Sequence, residues 1–594
     1  MTTKKIKGRK KRFERYFADF ETTKQNEEGA VRVYLWAICK SEYSNYGYDI
    51  TSFFKELEKI GEAIVFFRNG ANFDFNFILY YLLKNNIPYD IIEKNGEIYQ
   101  ISLFDGKILL RDSIKLIPLS LSESCKQFNT KYFKSSIDYE TPYDHDATPE
   151  EVDYCINDVR CDEEAVENFY NLLIEILSEM NLTKTIDKIY DKMTISGIAF
   201  SAFVESTNGL YQKVCKPNTY NDSFVRKAYT GGFVFYKEGI QKNLEMDDNN
   251  SMYPFQYAYN MLPVGSGFYK TNLEHLQLFP LYIIHFKAYV KLRKGYEAII
   301  PKGKNFRGLS GQNYVKSSDE DNYKERNEIY CTNWDFEKFK KYYDFDEFEF
   351  IDGIGFKGCK NFYKNYAEKL IEFKKVYSGG KRYVVKLLLN SPYGKLGMNG
   401  ETDIYHYELN EKGALTRTYE GHEVDIDCFN YLPQAVFITS GGRNTLWDRC
   451  EKIGWENCFY GDTDSVKYKH VEGLILEKND KDLGKWKEEG RPEIFKAIAP
   501  KKYIYYENGL LNVACAGFHK DIVCETLAKM VGLDNIEERQ KDNNGNKMPS
   551  SIKCNYDEAL EMINLFDKGF KVEQLQKRKV EGGCVLNLGF KEIR

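Results

Sequence analysis

The segment Tyr460-Gly461-Asp462-Thr463-Asp464-Ser465 carries two carboxylates two residues apart at a predicted turn. Its flanks are aromatic and β-branched, as strands prefer, and Gly-Asp is a turn pair, so the segment predicts a β-hairpin with acids at its tip. Acids in that position can hold a divalent cation within reach of a phosphate. A solvated turn is the competing interpretation, because Asp and Gly are ordinary turn residues.

Composition limits the classes of protein that fit. The chain has 594 residues, enough for several domains, and its net charge of −5 excludes a globally basic nucleic-acid binder. Nucleic-acid contacts must therefore use local basic surfaces; residues 4–15 form one, with a solvated tail as the alternative. The 14 cysteines include no Cys-x-x-Cys pair, which argues against a zinc site and for a reducing compartment. No membrane span or signal peptide is predicted, so we expect a cytoplasmic protein.

Acidic residues recur on predicted elements of the N-terminal third. Asp19 and Glu21 alternate on a predicted strand and so share one face. Two acids on a buried face are costly unless a cation or hydrogen-bond donors satisfy them. Asp74 follows a second predicted strand, Ala63–Phe67, at the junction with an apolar helix. Such junctions commonly carry chemistry in α/β folds.

A third acidic element is a predicted helix that starts at Thr148, with Pro149 in its first turn and Glu151 completing a capping box. On this helix Tyr154 and Asp158 are four residues apart and share a face. Alone, each acid is more often structural. Together, four carboxylates from three elements suit two metal ions that activate a water against a phosphodiester, with Tyr154 positioning the water.

The middle of the chain predicts a nucleotide site. Residues 244–257 read as a strand that ends in acids and turns into Pro254. Asp247 and Asp248 compete for a ligand role, and they face opposite sides if the strand continues, so one of them faces the site. Tyr253 would lie flat beneath a sugar and exclude a 2′-hydroxyl.

Two helices are predicted between 361 and 393, separated by Ser378-Gly379-Gly380, with the second beginning near Lys381. The side chains that share one face of the second helix are Arg382, Lys386, Asn390 and Tyr393. Two cations, an amide and a ring suit a nucleoside triphosphate. An exposed basic face is the alternative.

The order of these motifs resembles that of family B DNA polymerases. The short chain and the segment Tyr229-Thr230-Gly231-Gly232 narrow the resemblance to the protein-primed, phi29-type branch. The matching motifs are Asp19-x-Glu21, Asn69 to Asp74, Tyr154 to Asp158, Asp248-x-x-Ser251-Met252-Tyr253-Pro254, Lys386-x-x-x-Asn390-Ser391-x-Tyr393-Gly394, Asp462-Thr463-Asp464 and Lys501-x-Tyr503. The resemblance extends from about Tyr16 to the C-terminus.

This resemblance implies a mixed α/β (α+β) chain. An RNase H-like 3′–5′ exonuclease domain precedes a right-hand polymerase of palm, fingers and thumb with two insertions. The implied ranges are 1–193 for the exonuclease, 194–259 and 433–525 for the palm, 260–358 for a terminal-protein-region insertion, 359–396 for the fingers, 397–432 for a processivity and strand-displacement insertion, and 526–594 for the thumb.

The resemblance also implies roles. The exonuclease metal ligands would be Asp19, Glu21, Asp74 and Asp158, with Tyr154 catalytic. Contacts to the frayed primer end would be Thr22, Asn69, Phe73, Ser113 and Ile114. The polymerase metal ligands would be Asp248, Asn249 and Asp464, with Asp462 beside them. The nucleotide would be held by Tyr253, Lys374, Arg382, Lys386, Asn390 and Tyr393. The primer would be gripped by Lys501 and Tyr503, and the path between the two sites lined by Tyr229, Gly231 and Gly232.

The implied function is processive, strand-displacing replication of a linear viral genome in the host cytoplasm by a monomer. Each active site would use two Mg²⁺ ions, with Mn²⁺ as a substitute. The partners would be primer–template DNA, single-stranded DNA, deoxynucleoside triphosphates and a terminal protein. Three alternatives are a DNA-binding 3′–5′ exonuclease without polymerase activity, a non-enzymatic DNA-binding protein descended from a polymerase, and an RNA-primed polymerase.

Several positions depart from the family pattern. Arg382 and Arg68 stand where Lys and His are usual. Pro392 is expected to kink the helix and shift Tyr393. No lysine occurs between 135 and 149, so the lysine that usually precedes the third exonuclease motif is missing or replaced by His145. Residues 521–553 look like extra polar length before the thumb, ending in an exposed loop at 542–546.

Overall fold

The computed structural model describes residues 13–24, 31–94, 96–135, 141–216, 219–302, 314–318, 326–411, 413, 415–424, 430–543, 545, 547–548, 550–574, 580–581, 584–585 and 589–593. Side chains are described within these ranges except at 219–220 and beyond 572. The predicted exposed loop at 542–546 therefore lies partly outside the described residues.

The N-terminal region is an open sheet with helices on both faces. Its strands are β1 (Glu14–Thr22), β2 (Val33–Lys40), β3 (Tyr43–Gly47), β4 (Ala63–Phe67), β5 (Tyr89–Lys94), β6 (Glu97–Leu103) and β7 (Ile108–Asp112), and its helices are α1 (Ile50–Ile60), α2 (Asp74–Lys84), α3 (Leu121–Phe128) and α4 (Pro149–Glu179). The seven strands lie in the order β3-β2-β1-β4-β7-β6-β5, with β1, β4 and β7 mutually parallel.

Helix α4 begins as its sequence predicts. Thr148 caps it by accepting a hydrogen bond from the Glu151 N–H, and Glu151 completes the capping box. Its apolar face packs on β1 and β2, whereas α1 and α2 cover the opposite face of the sheet. The strands most deeply buried between these layers read as continuous apolar runs, as the interior strands of α/β sheets do.

Helices and short strands lead from this region to the acidic residues Asp247 and Asp248. They comprise α5 (Thr183–Ile186), α6 (Ile195–Glu205), α7 (Leu210–Val214), α8 (Thr219–Lys227), β8 (Val234–Tyr236), β9 (Gln241–Lys242), β10 (Leu244–Asn249) and α9 (Met252–Tyr259). A separate four-stranded sheet follows, formed by β11 (Leu262–Lys270), β12 (Leu281–Leu292), β13 (Asn327–Thr332) and β14 (Tyr343–Cys359). Two helices, α10 (Leu273–Gln277) and α11 (Asn333–Tyr342), lie between these strands in sequence.

The next elements are three helices and a long hairpin, namely α12 (Lys364–Val376), α13 (Gly379–Asn390), α14 (Pro392–Leu396), β15 (Glu401–Leu409) and β16 (Leu415–Val424). The hairpin packs against the N-terminal region, and its residues Tyr407 and Leu415 are buried among the apolar core side chains of that region. The Tyr407 hydroxyl also donates to Glu93 Oε2 at 2.6 Å.

The remaining elements are α15 (Leu432–Ile453), β17 (Cys458–Asp462), β18 (Ser465–Lys469), β19 (Trp486–Gly490), β20 (Ile494–Ala499), β21 (Lys502–Glu507), β22 (Leu510–Cys515), α16 (Lys520–Met530), α17 (Ile536–Arg539), β23 (Ser551–Lys553), α18 (Tyr556–Lys568), β24 (Phe570–Gln574), β25 (Val580–Glu581), β26 (Cys584–Val585) and β27 (Gly589–Ile593). A five-stranded sheet in the order β19-β10-β18-β17-β8 joins the two acidic motifs, although they lie more than 200 residues apart in sequence.

The polar segment 521–553 begins within a helix. Most of α16 lies within this segment, and Val523, Cys524 and Leu527 are buried against α18 and the neighbouring sheet. The predicted boundary at 525 therefore divides a helix. The exposed side of α16 is polar, whereas its apolar residues recur at helical spacing on the buried side. The predicted boundaries at 259, 358, 396 and 432, by contrast, lie within one residue of the ends of α9, β14, α14 and the start of α15.

Every cysteine whose side chain is described is a free thiol. No helix in the described ranges is both long enough and apolar enough to cross a membrane.

Candidate active sites

The acidic hairpin forms as predicted. Strands β17 and β18 pair antiparallel, and Thr463 between them adopts the left-handed conformation at φ 58°. The Thr463 N–H donates to the Phe233 carbonyl at 2.9 Å. Gly232 lies against the same turn, where an added Cβ would be 2.5 Å from Thr463 Oγ1. The segment at 229–232 therefore supports the hairpin tip, and residue 232 has no room for a side chain.

Asp248 and Asp464 share one site. The register of β10 on β18 sets Asp248 opposite Ser465, and the Asn249 N–H donates to the Asp464 carbonyl at 2.7 Å. Burial, and then the charge of Asp248, raise the pKa of Asp464 to about 6. Two acids that repel each other in a half-buried site favour a cation between them.

Asp247 faces the other side of β10, as strand alternation predicts. It is fully buried and is held by the Arg449 guanidinium, by the Lys478 ammonium at 3.0 Å and by the Tyr468 hydroxyl at 3.0 Å. Asn249 lies on this same face by alternation. Its side-chain amide donates to the Gly484 carbonyl at 3.0 Å, and its role as a metal ligand stays a prediction.

Asp462 is engaged differently from Asp464. Its Oδ1 accepts from the Thr463 hydroxyl at 3.0 Å and lies 3.6 Å from the Lys501 ammonium. The Lys501 N–H donates to the Tyr460 hydroxyl at 2.9 Å, and the Tyr503 ring lies 4.9 Å from that of Tyr460. The structure thus brings the predicted primer residues onto the hairpin, on the side of Asp462.

Cations face the acids from α12 and α13. Lys374 reaches the turn after β10 and donates to Ser251 Oγ at 3.0 Å. Burial, and then the charges of Arg382, Lys386 and Lys487, lower the pKa of Lys374. Arg382, Lys386 and Asn390 are exposed on one face of α13. The predicted stripe does not continue to Tyr393: α13 ends at Asn390, and Pro392 starts α14, because a proline ring cannot continue the helix.

Tyr253 and Tyr393 nevertheless meet, with ring centroids 4.5 Å apart. Burial is the main cause that raises the pKa of Tyr393, to about 12, and Tyr229 and Asp464 add to it. Behind Tyr253, a Cβ at Gly442 would lie 2.9 Å from its ring. The two tyrosines therefore form a fixed aromatic wall beside the acids. Tyr229 adjoins it, and the Gly231 carbonyl accepts from Arg443 at 2.8 Å.

A second carboxylate group lies in the N-terminal region. Asp19 and Glu21 are half-buried on β1, Asp74 is buried at the start of α2, and Asp158 is buried on α4. Burial, and then the neighbouring acids, raise the pKa of Asp19, Glu21 and Asp74. Tyr154 lies one helical turn before Asp158, as predicted. Thr22, at the end of β1, is half-buried beside Glu21.

The cation beside Asp158 is Lys134, whose ammonium lies 2.6 Å from Oδ2. His145 does not occupy this place, because it is bonded to Glu151 at 2.7 Å. The expectation that the position was vacant or filled by His145 is therefore wrong. Lys134 precedes the segment 135–149, and it lies against α4 through its ion pair with Asp158.

Asp112, which belongs to none of the sequence motifs, organises the predicted primer contacts. Its buried carboxylate accepts from the N–H groups of Asn69 at 2.9 Å, Ala71 at 3.2 Å and Ile114 at 3.0 Å. Asn69 is left-handed at φ 63°, which starts the turn that leads to Phe73 and Asp74. One carboxylate thus joins two loops that are distant in sequence.

Arg68 links the same region to α3 and α4 through hydrogen bonds and an ion pair. Its guanidinium lies 3.2 Å from Asp162 Oδ1 and donates to the Ile117 carbonyl at 3.1 Å and to Ser124 Oγ at 2.8 Å. Ser113 is fully buried behind it. The Ser113 side chain therefore supports the loop from inside, and its contact with the frayed primer end stays a prediction.

Asp112→Asn is expected to lower the free energy of unfolding by about 1–3 kcal/mol, because the Ala71 N–H would face an amide donor instead of an acceptor. It is also expected to raise KM for single-stranded DNA degradation more than it lowers kcat. Urea unfolding and exonuclease kinetics measure the two effects. Asp90→Asn, an exposed acid on β5, is the control. Unchanged stability and KM would contradict the role given to Asp112.

Both acid groups fit divalent cations that are completed by substrate. Asp74 Oδ1 and Asp158 Oδ1 are buried without a hydrogen-bond partner, and carboxylate oxygens are what Mg²⁺ prefers. Within the described ranges, no set of three or more His, Cys, Asp or Glu side chains forms a ready-made metal cage. Mg²⁺ is commonly held by one or two carboxylates together with substrate phosphates, which matches the pair Asp248 and Asp464.

Comparisons with known proteins agree with this geometry. A family model described as DNA polymerase type B, organellar and viral, matches residues 57–147 and 140–472. The DNA polymerase of Bacillus phage phi29 is 29% identical over 523 residues, which cover 82% of this chain and 86% of the relative. That of Streptococcus phage Cp-1 is 27% identical over 533 residues, which cover 82% and 88%.

Solved structures of phi29 DNA polymerase share the fold. A ternary complex with primer-template DNA and incoming nucleotide substrates has a TM-score of 0.74 and 26% identity, covering 91% of this chain and 99% of that one. A post-translocation binary complex with primer-template DNA has a TM-score of 0.76 and 24% identity, covering 98% and 100%. The family match spans well over half of the sequence, the resemblance predicted from the motifs is confirmed, and the chain belongs to the organellar and viral type B DNA polymerases as a DNA-directed DNA polymerase.

Proposed function

We propose that this polymerase replicates a linear viral genome from a protein primer and proofreads with a separate 3′–5′ exonuclease site. The observation that carries the proposal is the pairing of Asp248 with Asp464 opposite the cations of α12 and α13, together with a second, independent carboxylate group on β1, α2 and α4. Two acid sites of this kind suit nucleotide addition and phosphodiester hydrolysis in one chain.

In the polymerase site, Asp248 and Asp464 would hold Mg²⁺, and type B polymerases generally use divalent metals. When bound, two ions would lower the pKa of the primer 3′-hydroxyl and neutralise the triphosphate, and in the second site they would activate a water. Lys374, Arg382 and Lys386 would bind the phosphates and fix them in line with the primer end.

The other polymerase residues position the substrates. Tyr253 and Tyr393 would hold the sugar and base of the incoming nucleotide against their shared ring wall. Lys501 and Tyr503 would bind the primer strand beside Asp462. In initiation, a hydroxyl of a terminal protein would take the place of the primer hydroxyl.

In the exonuclease site, Asp19, Glu21, Asp74 and Asp158 would hold the metal ions, and Tyr154 would orient the attacking water. The Lys134 ammonium beside Asp158 would offset charge on the scissile phosphate. Asn69, Phe73 and Ile114 would contact the frayed end on the loops that Asp112 joins. Primer transfer between the sites would pass Tyr229 and Gly231.

The remaining parts of the proposal concern partners. The sheet of β11–β14 would contact the terminal protein, and the hairpin of β15 and β16 would help to enclose DNA and separate its strands. The phi29 structures contain primer-template DNA, single-stranded DNA and nucleotides, and we propose the same ligands for this chain, acting as a monomer in a host cytoplasm.

Primer extension on a singly primed circle, with and without a candidate terminal protein, tests the proposal. Products longer than the circle would show strand displacement, and labelled nucleotide attached to the protein would show protein priming. Degradation of the primer without any extension, even with all four nucleotides, would support the exonuclease alternative instead.

Tyr253→Val is expected to lower discrimination against ribonucleotides by at least about tenfold, because the ring that would block a 2′-hydroxyl is removed. The ratio of kcat/KM for a deoxynucleotide to that for its ribonucleotide measures the effect. Tyr259→Phe, in the same helix, is the control, since it removes only a hydroxyl bonded to Glu368 at 3.0 Å. An unchanged ratio for Tyr253→Val would contradict the gate.

A further inference from the structure

Lys487 lies directly opposite Asp248 on the neighbouring strand. The register of β19 on β10 pairs the two residues, and the Lys487 ammonium lies 3.1 Å from Asp248 Oδ1. The strand is held in that register by hydrogen bonds from the Asn249 side chain to the Gly484 carbonyl at 3.0 Å and from the Asn250 N–H to the Lys485 carbonyl at 2.9 Å. Cross-strand neighbours in register are constrained to stay close.

The position of Lys487 joins it to the phosphate-binding cations. Its charge acts on Lys374 together with those of Arg382 and Lys386, and Asp248 is the acid among the causes that oppose them. These four cations outnumber the acid pair of Asp248 and Asp464, which leaves an excess of positive charge beside the pair. A group that fits this excess is a polyanion such as a nucleoside triphosphate or pyrophosphate.

The two acids of β10 have different cationic partners, and only the partner of Asp248 is free to exchange its contact for another anion. Asp247 is fully buried, and Arg449, its main partner, is 4% exposed, so that pair is fixed. The side chains of Lys487 and Asp248 are 35% and 21% exposed. Lysine carries a compact charge on a flexible four-carbon stem, so Lys487 can turn from the carboxylate to another anion without moving the strand.

We propose that Lys487 is the exchangeable counter-ion of Asp248 and a binding residue for the triphosphate. In the substrate-free enzyme it neutralises Asp248. When a divalent cation takes the carboxylate, Lys487 turns to the phosphates of the incoming nucleotide. This rests on the proposed function in one respect, namely that Asp248 is a metal ligand.

The two halves of this role predict opposite effects on two affinities. Removing the lysine charge frees Asp248 for the metal, so Mn²⁺ is expected to bind about fivefold more tightly to Lys487→Gln. The nucleotide loses a charged hydrogen-bond donor, so its affinity is expected to fall about tenfold. A lysine that only supported the strand would weaken both.

Mn²⁺ binding is measured by the electron paramagnetic resonance signal of the free ion, and deoxynucleotide binding by calorimetry with Ca²⁺. The full chain is used, in an Asp19→Ala with Glu21→Ala background that removes the other acid group. Lys487→Arg keeps the charge and is expected to bind nucleotide as the parent does. Lys485→Ala is the matched control, since Lys485 pairs with Glu477 at 3.7 Å and should change neither affinity.

The proposal is overturned if Lys487→Gln lowers the affinity for both Mn²⁺ and the deoxynucleotide, or changes neither affinity, while the melting temperature of the variant equals that of the parent. Lys487→Ala repeats the test if the glutamine variant is unstable. Failure of the proposed function has a separate signature. If Asp248→Asn leaves Mn²⁺ binding unchanged in the parent background, Asp248 is not a ligand, and both proposals fall.

Discussion

Asp464→Ala is expected to abolish nucleotide addition while leaving 3′–5′ degradation intact. We expect kcat/KM for incorporation to fall by about a thousandfold, or about 4 kcal/mol. Asp464 is half-buried beside Asp248, and burial, followed by the charge of Asp248, raises its pKa, as expected of a carboxylate that a bound cation would stabilise. Removing Asp464 leaves Asp248 as the single carboxylate of the pair to hold the metal. The triphosphate, which the metal would position, is then no longer fixed in place. Single-nucleotide incorporation with rapid quenching measures the loss.

Two variants sharpen this prediction. Asp462→Ala should lose less, since Asp462 is engaged with Thr463 and Lys501 rather than with Asp248. Asp480→Ala removes an exposed acid of the loop before β19 and should leave incorporation unchanged. Normal extension by Asp464→Ala would remove the basis for the polymerase site. A smaller loss for Asp464→Ala than for Asp462→Ala would reverse the division of roles within the hairpin.

Asp19→Ala combined with Glu21→Ala is expected to have the complementary effect. Degradation of single-stranded DNA should fall by about a thousandfold, because both acids that β1 contributes to the site are lost, while extension of a matched primer persists. Mismatched primer ends should then be extended instead of removed. Product lengths on matched and mismatched primers show both results, with Glu14→Ala at the exposed start of β1 as the control. Proofreading by the double variant at the parental rate would falsify the assignment of Asp19 and Glu21 to the exonuclease site.

The same acids give metal-free stability an unusual pH dependence. Burial, followed by the charge of Asp158, raises the pKa of Asp19 to about 7, and burial, followed by the charge of Asp19, raises that of Glu21 to about 8. The folded protein therefore binds more protons than the unfolded chain between about pH 4 and pH 8. Stability contributed by these groups is present at low pH and is lost as the pH rises through that range. With chelator, Asp19→Asn combined with Glu21→Gln should melt higher than the parent at pH 8, and added Mg²⁺ should reduce the difference.

Local patterns in the sequence were sufficient for much of both sites. The hairpin at 460–465, the capped start of α4 and the alternation that separates Asp247 from Asp248 all follow from rules that act within a few residues. Pro392 was expected to disturb the helix, and it ends the stripe between Asn390 and Tyr393. In each case the deciding contact is local.

The contacts that the sequence did not reveal are long-range. Lys487 meets Asp248 through strand pairing across more than 200 residues, and Asp112 joins loops at 69–71 and 114 through hydrogen bonds to backbone groups that carry no motif. Lys134 lies 24 residues before Asp158 in sequence, too far for helical spacing to indicate their contact. The helix α16 was missed because its exposed side dominates the composition of 521–553.

The burial of Tyr407 and Leu415 in the core of the N-terminal region has a practical consequence for engineering. A truncated enzyme that began after residue 193 would expose these side chains, together with the face of α13 where Tyr383 packs on Phe128 at 6.0 Å. Exposed apolar patches of this kind promote aggregation. A version without proofreading is therefore better made by substituting acids than by deletion, and domain exchange between related enzymes must carry the hairpin and the N-terminal region together.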